Sequence, residues 1–237
     1  MKQFAMTLLA AAMLAWLPAT AEAQSYWYED FDGYASGTRL DNVGGWFGWD
    51  NTSSAAGTVS NTQSQSPANS IAVSNTFGND AVHPFTGYNS GVWVLTAQQF
   101  LPSNLDGLTY FIVNNEYNHG GPHDWAIEMH MDPATDLVNE QLRDPNGTNA
   151  VPVVYDQWVE IRIVADLDNN LMQSFYNNQL VASGSWNNGS GLIEIQNIDL
   201  FAPHANAAFY DNISLVPEPA SALLLLPVLG LALRRRR

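Results

Sequence analysis

The chain has 237 residues, with 8 Lys and Arg against 23 Asp and Glu and a formal net charge of −15. Residues 24–215 hold three of the basic and 21 of the acidic groups, a net −18 that repels nucleic acid phosphates and anionic headgroups and disfavours both as partners. A hydrophobic share of 46% with 11% aromatics excludes global disorder, and zero cysteines exclude zinc-thiolate, redox and cysteine-protease chemistry.

In chain order, Met1-Lys2-Gln3 opens a run that is apolar from Phe4 to Leu17 and reaches Ala21-Glu22-Ala23. A basic start, an apolar stretch of secretory length and a small-x-small site predict a signal peptide over 1–23, cleaved after Ala23. A buried first helix is the weaker alternative, because the run has no polar face. Short strands are predicted next at Trp27–Phe31 and Trp46–Trp49, and the Ser, Thr, Asn and Gln-rich stretch from Asn51 to Ser70 is predicted to be a surface loop. Further strands are expected at Ile71–Ser74, Gly91–Phe100, Leu108–Asn115 and Asp124–Asp132. From Trp158 to Asp166, Val159, Ile161, Ile163 and Ala165 share one face, and Leu171–Tyr176 and Gln179–Trp186 complete a meander across two tight turns. Leu192–Leu200 and Ala207–Leu215 close the body. Strands at this spacing without helices predict an all-β domain over 24–215, two antiparallel sheets packed face to face as a β-sandwich or jelly roll.

Several stretches carry a resemblance. Glu29-Asp30-Phe31-Asp32-Gly33-Tyr34, Gly44-Gly45-Trp46, Gln157-Trp158, Phe175-Tyr176-Asn177-Asn178 and Tyr210-Asp211-Asn212-Ile213-Ser214-Leu215 resemble the concanavalin A-like, laminin-G-like jelly roll. That resemblance implies a secreted, carbohydrate-associated body. The closing Asp-Asn-hydrophobic pattern also ends other sandwiches.

Three groups could carry chemistry. Glu128, His130 and Asp132 fall on one face of the Asp124–Asp132 strand, with Ile127, Met129 and Met131 on the other. Jelly-roll glycosidases mount a Glu-x-Asp-x-x-Glu pattern there, and here His130 stands in the middle, so the reading is a solvated polar face and no catalytic residue. His119 and His123 lie in a Gly-Pro loop that runs into Asp124, and the ligand set for a transition metal is incomplete. Calcium is the one cofactor the carboxylates suggest, in a site combining Asp30 or Asp32 with Asp211. Aromatics beside Asn and Gln suit the stacking of sugar rings, and the expected ligand-facing residues are Trp46, Trp49, Trp125, Trp186 and Asn187. No Gly-x-Ser-x-Gly elbow or phosphate loop occurs.

The chain closes with Val216-Pro217-Glu218-Pro219, an apolar run from Ala222 to Leu233, and Arg234-Arg235-Arg236-Arg237. Residues 220–233 reach about 21 Å as a helix, against about 30 Å of hydrocarbon. Pro217, Glu218 and Pro219 read as an extended sorting motif, and the four arginines as a stop-transfer cluster. This ordered tail over 216–237 resembles the PEP-CTERM sorting domain of bacterial surface proteins. The resemblance implies an exosortase as processing partner, transient anchoring in the inner membrane, and a Gram-negative host rich in exopolysaccharide. An ordinary single-pass anchor is the alternative. The expectation is therefore an exported surface or extracellular protein that binds polysaccharide without catalysis. An extracellular glycosidase or polysaccharide lyase is one alternative, and a structural or adhesive protein that binds protein partners is another.

Overall fold

The computed structural model describes residues 26–218 except Phe77. The predicted signal peptide, Pro219, the apolar sorting segment and Arg234 to Arg237 lie outside the described residues. Among the described residues no helix is long and apolar enough to cross a membrane.

Among the described residues, fifteen strands form two antiparallel sheets, with two short 3-10 turns in the connections. The strands are β1 (Trp27–Glu29), β2 (Phe47–Gly48), β3 (Thr58–Ser60), β4 (Ser70–Val73), β5 (Asp80–Pro84), β6 (Val92–Phe100), β7 (Thr109–Tyr117), β8 (His123–Asp132), β9 (Leu137–Glu140), β10 (Val151–Pro152), β11 (Trp158–Asp166), β12 (Leu171–Tyr176), β13 (Gln179–Ser185), β14 (Asn197–Phe201) and β15 (Ala208–Pro217). One sheet runs β13-β12-β11-β6-β15-β4-β3 with β1 against β15, and the other runs β10-β9-β8-β7-β14-β5-β2. The two-sheet sandwich expected from the sequence is the observed architecture.

Alternation produces it. In β11, burial alternates at every residue, with Val159, Ile161, Ile163 and Ala165 turned inward. In β7, Phe111 and Val113 turn inward; in β14, Ile198 and Leu200 do the same. The two inner faces meet in one apolar core. Turns between strands use residues that tolerate a left-handed backbone: Asn177 and Asn178 have φ of 46° and 61°, which sets the β12–β13 hairpin.

The differences from expectation have physical causes. The 51–70 stretch is not all loop, because it holds a 3-10 turn and β3, whose single inward residue Val59 gives no periodic signal. Strand β5 escapes the sequence reading because Asp80, His83 and Pro84 break its apolar pattern. The strand expected over Leu192–Leu200 starts only at Asn197. At the C-terminal boundary, β15 runs two residues past Leu215. Pro217 pairs with Trp93, and the Glu218 N–H donates to the Val92 carbonyl at 2.8 Å. Pro217, expected from the sequence to open an extended sorting motif, is thus the last residue of a sheet strand, a position where proline is tolerated.

Candidate active site

The outer face of the seven-stranded sheet carries a groove of about 480 Å³. Register lines across the sheet fix what faces it. Glu128 on β8 lies opposite Ile112 on β7, and Ile112 opposite Asp199 on β14. One line further along, His130, Tyr110, Phe201 and Asp80 succeed one another from β8 to β5. Asp80 and Asp199 are therefore diagonal neighbours on adjacent strands, close enough for their side chains to meet.

Those two carboxyls share a hydrogen bond. Asp199 is 3% exposed. Burial first, then the negative charge of Asp80, raises its pKa well above the carboxylate range. Asp80 is pushed up to about 6, chiefly by burial, with the hydrogen bond from Asp199 working the other way. Both shifts favour the protonated form, more strongly at Asp199 than at Asp80. Each of the two has an Oδ1 that is buried without a hydrogen-bond partner. Glu128 is half-buried, and burial followed by the nearby Glu140 raises its pKa too.

The aromatic wall depends on a local irregularity. Between the Val113–Ile127 and Asn114–Trp125 pairs, β8 holds one extra residue, Ala126. Strict alternation would turn Trp125 inward with Ile127 and Met129; the bulge turns it outward beside Glu128. Two buried side chains hold that bulge. The Glu140 Oε1 accepts the Glu128 N–H at 3.0 Å, and the Arg143 guanidinium donates to the Ala126 carbonyl at 2.7 Å while pairing with Glu140 at 3.3 Å. Trp49 faces Trp125 with ring centroids 6.3 Å apart and planes 18° from parallel. It packs edge-on to Tyr117 at 4.9 Å. Below it, Asp50 Oδ1 accepts from His123 Nε2 at 3.0 Å and from the Gly120 N–H at 2.8 Å, which ties the loop after β7 to the turn after β2.

Of the five residues expected to face a ligand, Trp49 and Trp125 line the groove. Trp46 and Trp186 are corrections. Both are fully buried, Trp46 among Trp27, Phe31 and His83, and Trp186 with its indole N–H on the Glu194 carbonyl at 2.8 Å. Asn187 shapes its own loop, with Oδ1 accepting from Asn170 and Gly189. The predicted one-sided placement of Glu128, His130 and Asp132 is what β8 shows. His119 bonds to the Tyr117 hydroxyl and His123 to Asp50, so the two histidines do not form a ligand set.

The calcium candidates are engaged by backbone amides: Asp30 Oδ1 accepts from the Asp32 N–H, Asp32 Oδ1 from Ala68 and Asn69, and Asp211 from Gln65, Ser66 and Asn212. Among the described residues no three His, Asp or Glu cluster as metal ligands. Asp80 and Asp199 were not singled out by the sequence. Their one signal there is a carboxylate alternating with Ile198 and Leu200.

No protein-family model matches the chain, and no curated protein sequence is significantly similar. Solved structures are similar in fold. An alginate lyase is 12% identical with a TM-score of 0.55 over 82% of this chain and 98% of its own. A cellulose-induced protein is 17% identical with a TM-score of 0.52 over 80% and 96%. A sialidase is 10% identical with a TM-score of 0.54 over 84% of this chain, which spans 19% of the sialidase. The expectation of a body without catalysis is corrected by this comparison, since the similar structures are mostly enzymes.

Proposed function

We propose that the protein is an exported enzyme that hydrolyses a polysaccharide lying along the groove of the seven-stranded sheet. The observation that carries this reading is the facing of Glu128 and the Asp80–Asp199 pair across Ile112, beside the Trp49–Trp125 wall. Two strand spacings separate the Glu128 and Asp199 Cα atoms by about 9.6 Å, and Asp80 stands one strand further on. That is wider than the roughly 5–5.5 Å between the carboxyls of retaining enzymes, so the reading is inverting hydrolysis, with room for a water as well as a sugar.

Roles follow from environment. Glu128, its pKa raised, gives a proton to the leaving glycosidic oxygen. Asp80, held as the carboxylate of the pair by protonated Asp199, takes a proton from the attacking water. The water oxygen forms the new bond to the anomeric carbon as the old C–O bond breaks, and solvent exchange restores both carboxyls. Trp49 and Trp125 support the apolar face of a sugar ring.

A second reading, β-elimination by a lyase, is supported by the fold shared with an alginate lyase. It fits the groove less well. Elimination next to a uronate needs a group to neutralise the sugar carboxylate, and the groove wall has acids where a cation would stand. The body contains no lysine.

The reading also includes export by the 1–23 signal peptide and sorting of the 216–237 tail by an exosortase, supported by the sequence of the two ends. That route would bring the groove to extracellular polysaccharide. Incubation of the purified protein with a polysaccharide panel tests the activity. New reducing ends without an unsaturated-sugar chromophore, with the first product in the inverted anomeric form by NMR, are expected. The chromophore would instead establish the lyase, and intact polymers throughout would sink both.

A further inference from the structure

We propose that the glycan taken by this groove is cationic, built of sugars that carry free amino groups. This rests on the hydrolase reading and deepens it. Near the cleavage point the wall carries three carboxyls and no cationic side chain, with the Tyr110 hydroxyl and two indole N–H groups as its other polar atoms. Asp80 Oδ1 and Asp199 Oδ1 are buried without a partner, and the Glu128 carboxyl accepts no hydrogen bond from the described residues. A hydroxyl brings lone pairs as well as a proton to such a wall, whereas an ammonium brings three donors and no lone pair.

Cations of the protein do not fill that role. The body has three arginines. Arg39 donates to the Ser54 and Ala56 carbonyls, Arg143 is buried on Glu140 and three carbonyls, and Arg162 lies over Phe175 on the opposite sheet. None lines the groove. The charge of −18 over residues 24–215 steers a polycation toward the groove and repels uronates and sulfated chains. The indole faces of Trp49 and Trp125 suit an ammonium as well as a sugar ring. An amine on the carbon next to the anomeric centre would sit beside the water that Asp80 activates, close to the negative charge of the pair.

The test uses chitosan and its re-acetylated form as probes, with alginate and a neutral β-glucan beside them, and reads both binding and reducing-end release by the full-length protein. Chitosan is expected to bind at least about tenfold more tightly than the re-acetylated chain at low salt, the ratio shrinking as salt screens the groove. Asp80→Asn removes the carboxylate of the pair and should bring that ratio down toward one. Cleavage of re-acetylated chitosan or β-glucan at rates equal to chitosan would overturn the cationic substrate and leave the hydrolase standing. Salt-sensitive chitosan binding without cleavage of any polymer would do the reverse. Equal affinity for all four polymers, or preference for alginate, overturns the inference outright.

Discussion

On the outer face of the eight-stranded sheet, Arg162 pairs with Glu160 at 3.5 Å and lies 3.9 Å over Phe175, and the Thr96 and Ser214 hydroxyls meet at 2.8 Å. Nearby, Phe100, Phe209 and Ala72 cover one another with help from Trp158. On the outer face of the seven-stranded sheet, two adjacent acids share a proton and keep buried oxygens without donors. Both faces are built from the same alternating strands. One uses its outward positions to satisfy polar groups; the other leaves them wanting a ligand. Unsatisfied buried groups cost stability, and an acidic pair with two of them, Asp80 Oδ1 and Asp199 Oδ1, beside an aromatic wall marks the groove as the place where chemistry can take over from stability.

The comparison breaks most sharply at Glu128. Glu128→Gln keeps the shape and the groove but removes the transferable proton, so kcat should fall about 10²–10⁴-fold. The melting temperature should stay within a degree or two, because the side chain makes no ion pair in the described structure. A large loss of stability alongside the loss of rate would mean that Glu128 holds the sheet together and would remove it from the mechanism.

Next comes the support of the groove. Arg143→Met leaves Glu140 buried without its cation and frees the carbonyls of Ala126, Ser185 and Trp186. Breaking a buried pair from one side costs about 3–5 kcal/mol. Denaturant unfolding measures that cost, and the near-ultraviolet circular dichroism of the Trp49–Trp125 pair should change with it as the bulge relaxes.

How much of this could be read from residues alone varies with the kind of signal. The sandwich is legible because Trp158–Asp166 and its neighbours alternate strictly, and the facing of Glu128 with His130 follows from the same period. Trp125 is different: its outward position comes from one extra residue, Ala126, and a period-two reading sends it inward. Trp46 and Trp49 sit three residues apart in one aromatic motif, yet one is core and the other groove, because β2 lies between them and Trp49 opens the 3-10 turn that follows it. The Asp80–Asp199 pair was invisible for a further reason. Its members are 119 positions apart and meet only through the pairing of β5 with β14.

That pair offers a smaller and more informative perturbation. A group whose folded pKa is raised contributes stability below its unfolded value and loses it as pH rises through the folded one. Asp80 moves from 3.8 to about 6, so the pair weakens the fold as pH climbs from about 4 to 7. His83, buried and pushed down to about 4, works in the opposite sense: its contribution is full above about 6.5 and lost as pH falls through 4. Asp80→Asn removes the Asp80 slope, and its amide can still donate to Asp199. We expect a gain of about 2–3 kcal/mol at pH 7.5, or about 5–10 °C in melting temperature, with activity reduced. If the substitution destabilises the protein at pH 7.5, the two acids do not share a proton at a cost to the fold.

The smallest effect belongs to the opposite face. Arg162→Ala removes a half-exposed ion pair to Glu160 and a contact over Phe175. Pairs of this kind contribute about 0–1 kcal/mol, and a cation over an exposed ring about 0.5–1 kcal/mol. Hydrolysis rates and chitosan binding should be unchanged apart from a slight gain in affinity at low salt, since a net positive charge has been removed from a protein that attracts polycations. Because Arg162 lies across the core from the groove, a loss of activity there would show that the two faces are coupled through the sandwich, and the division between a face that holds the fold and a face that uses it would fail.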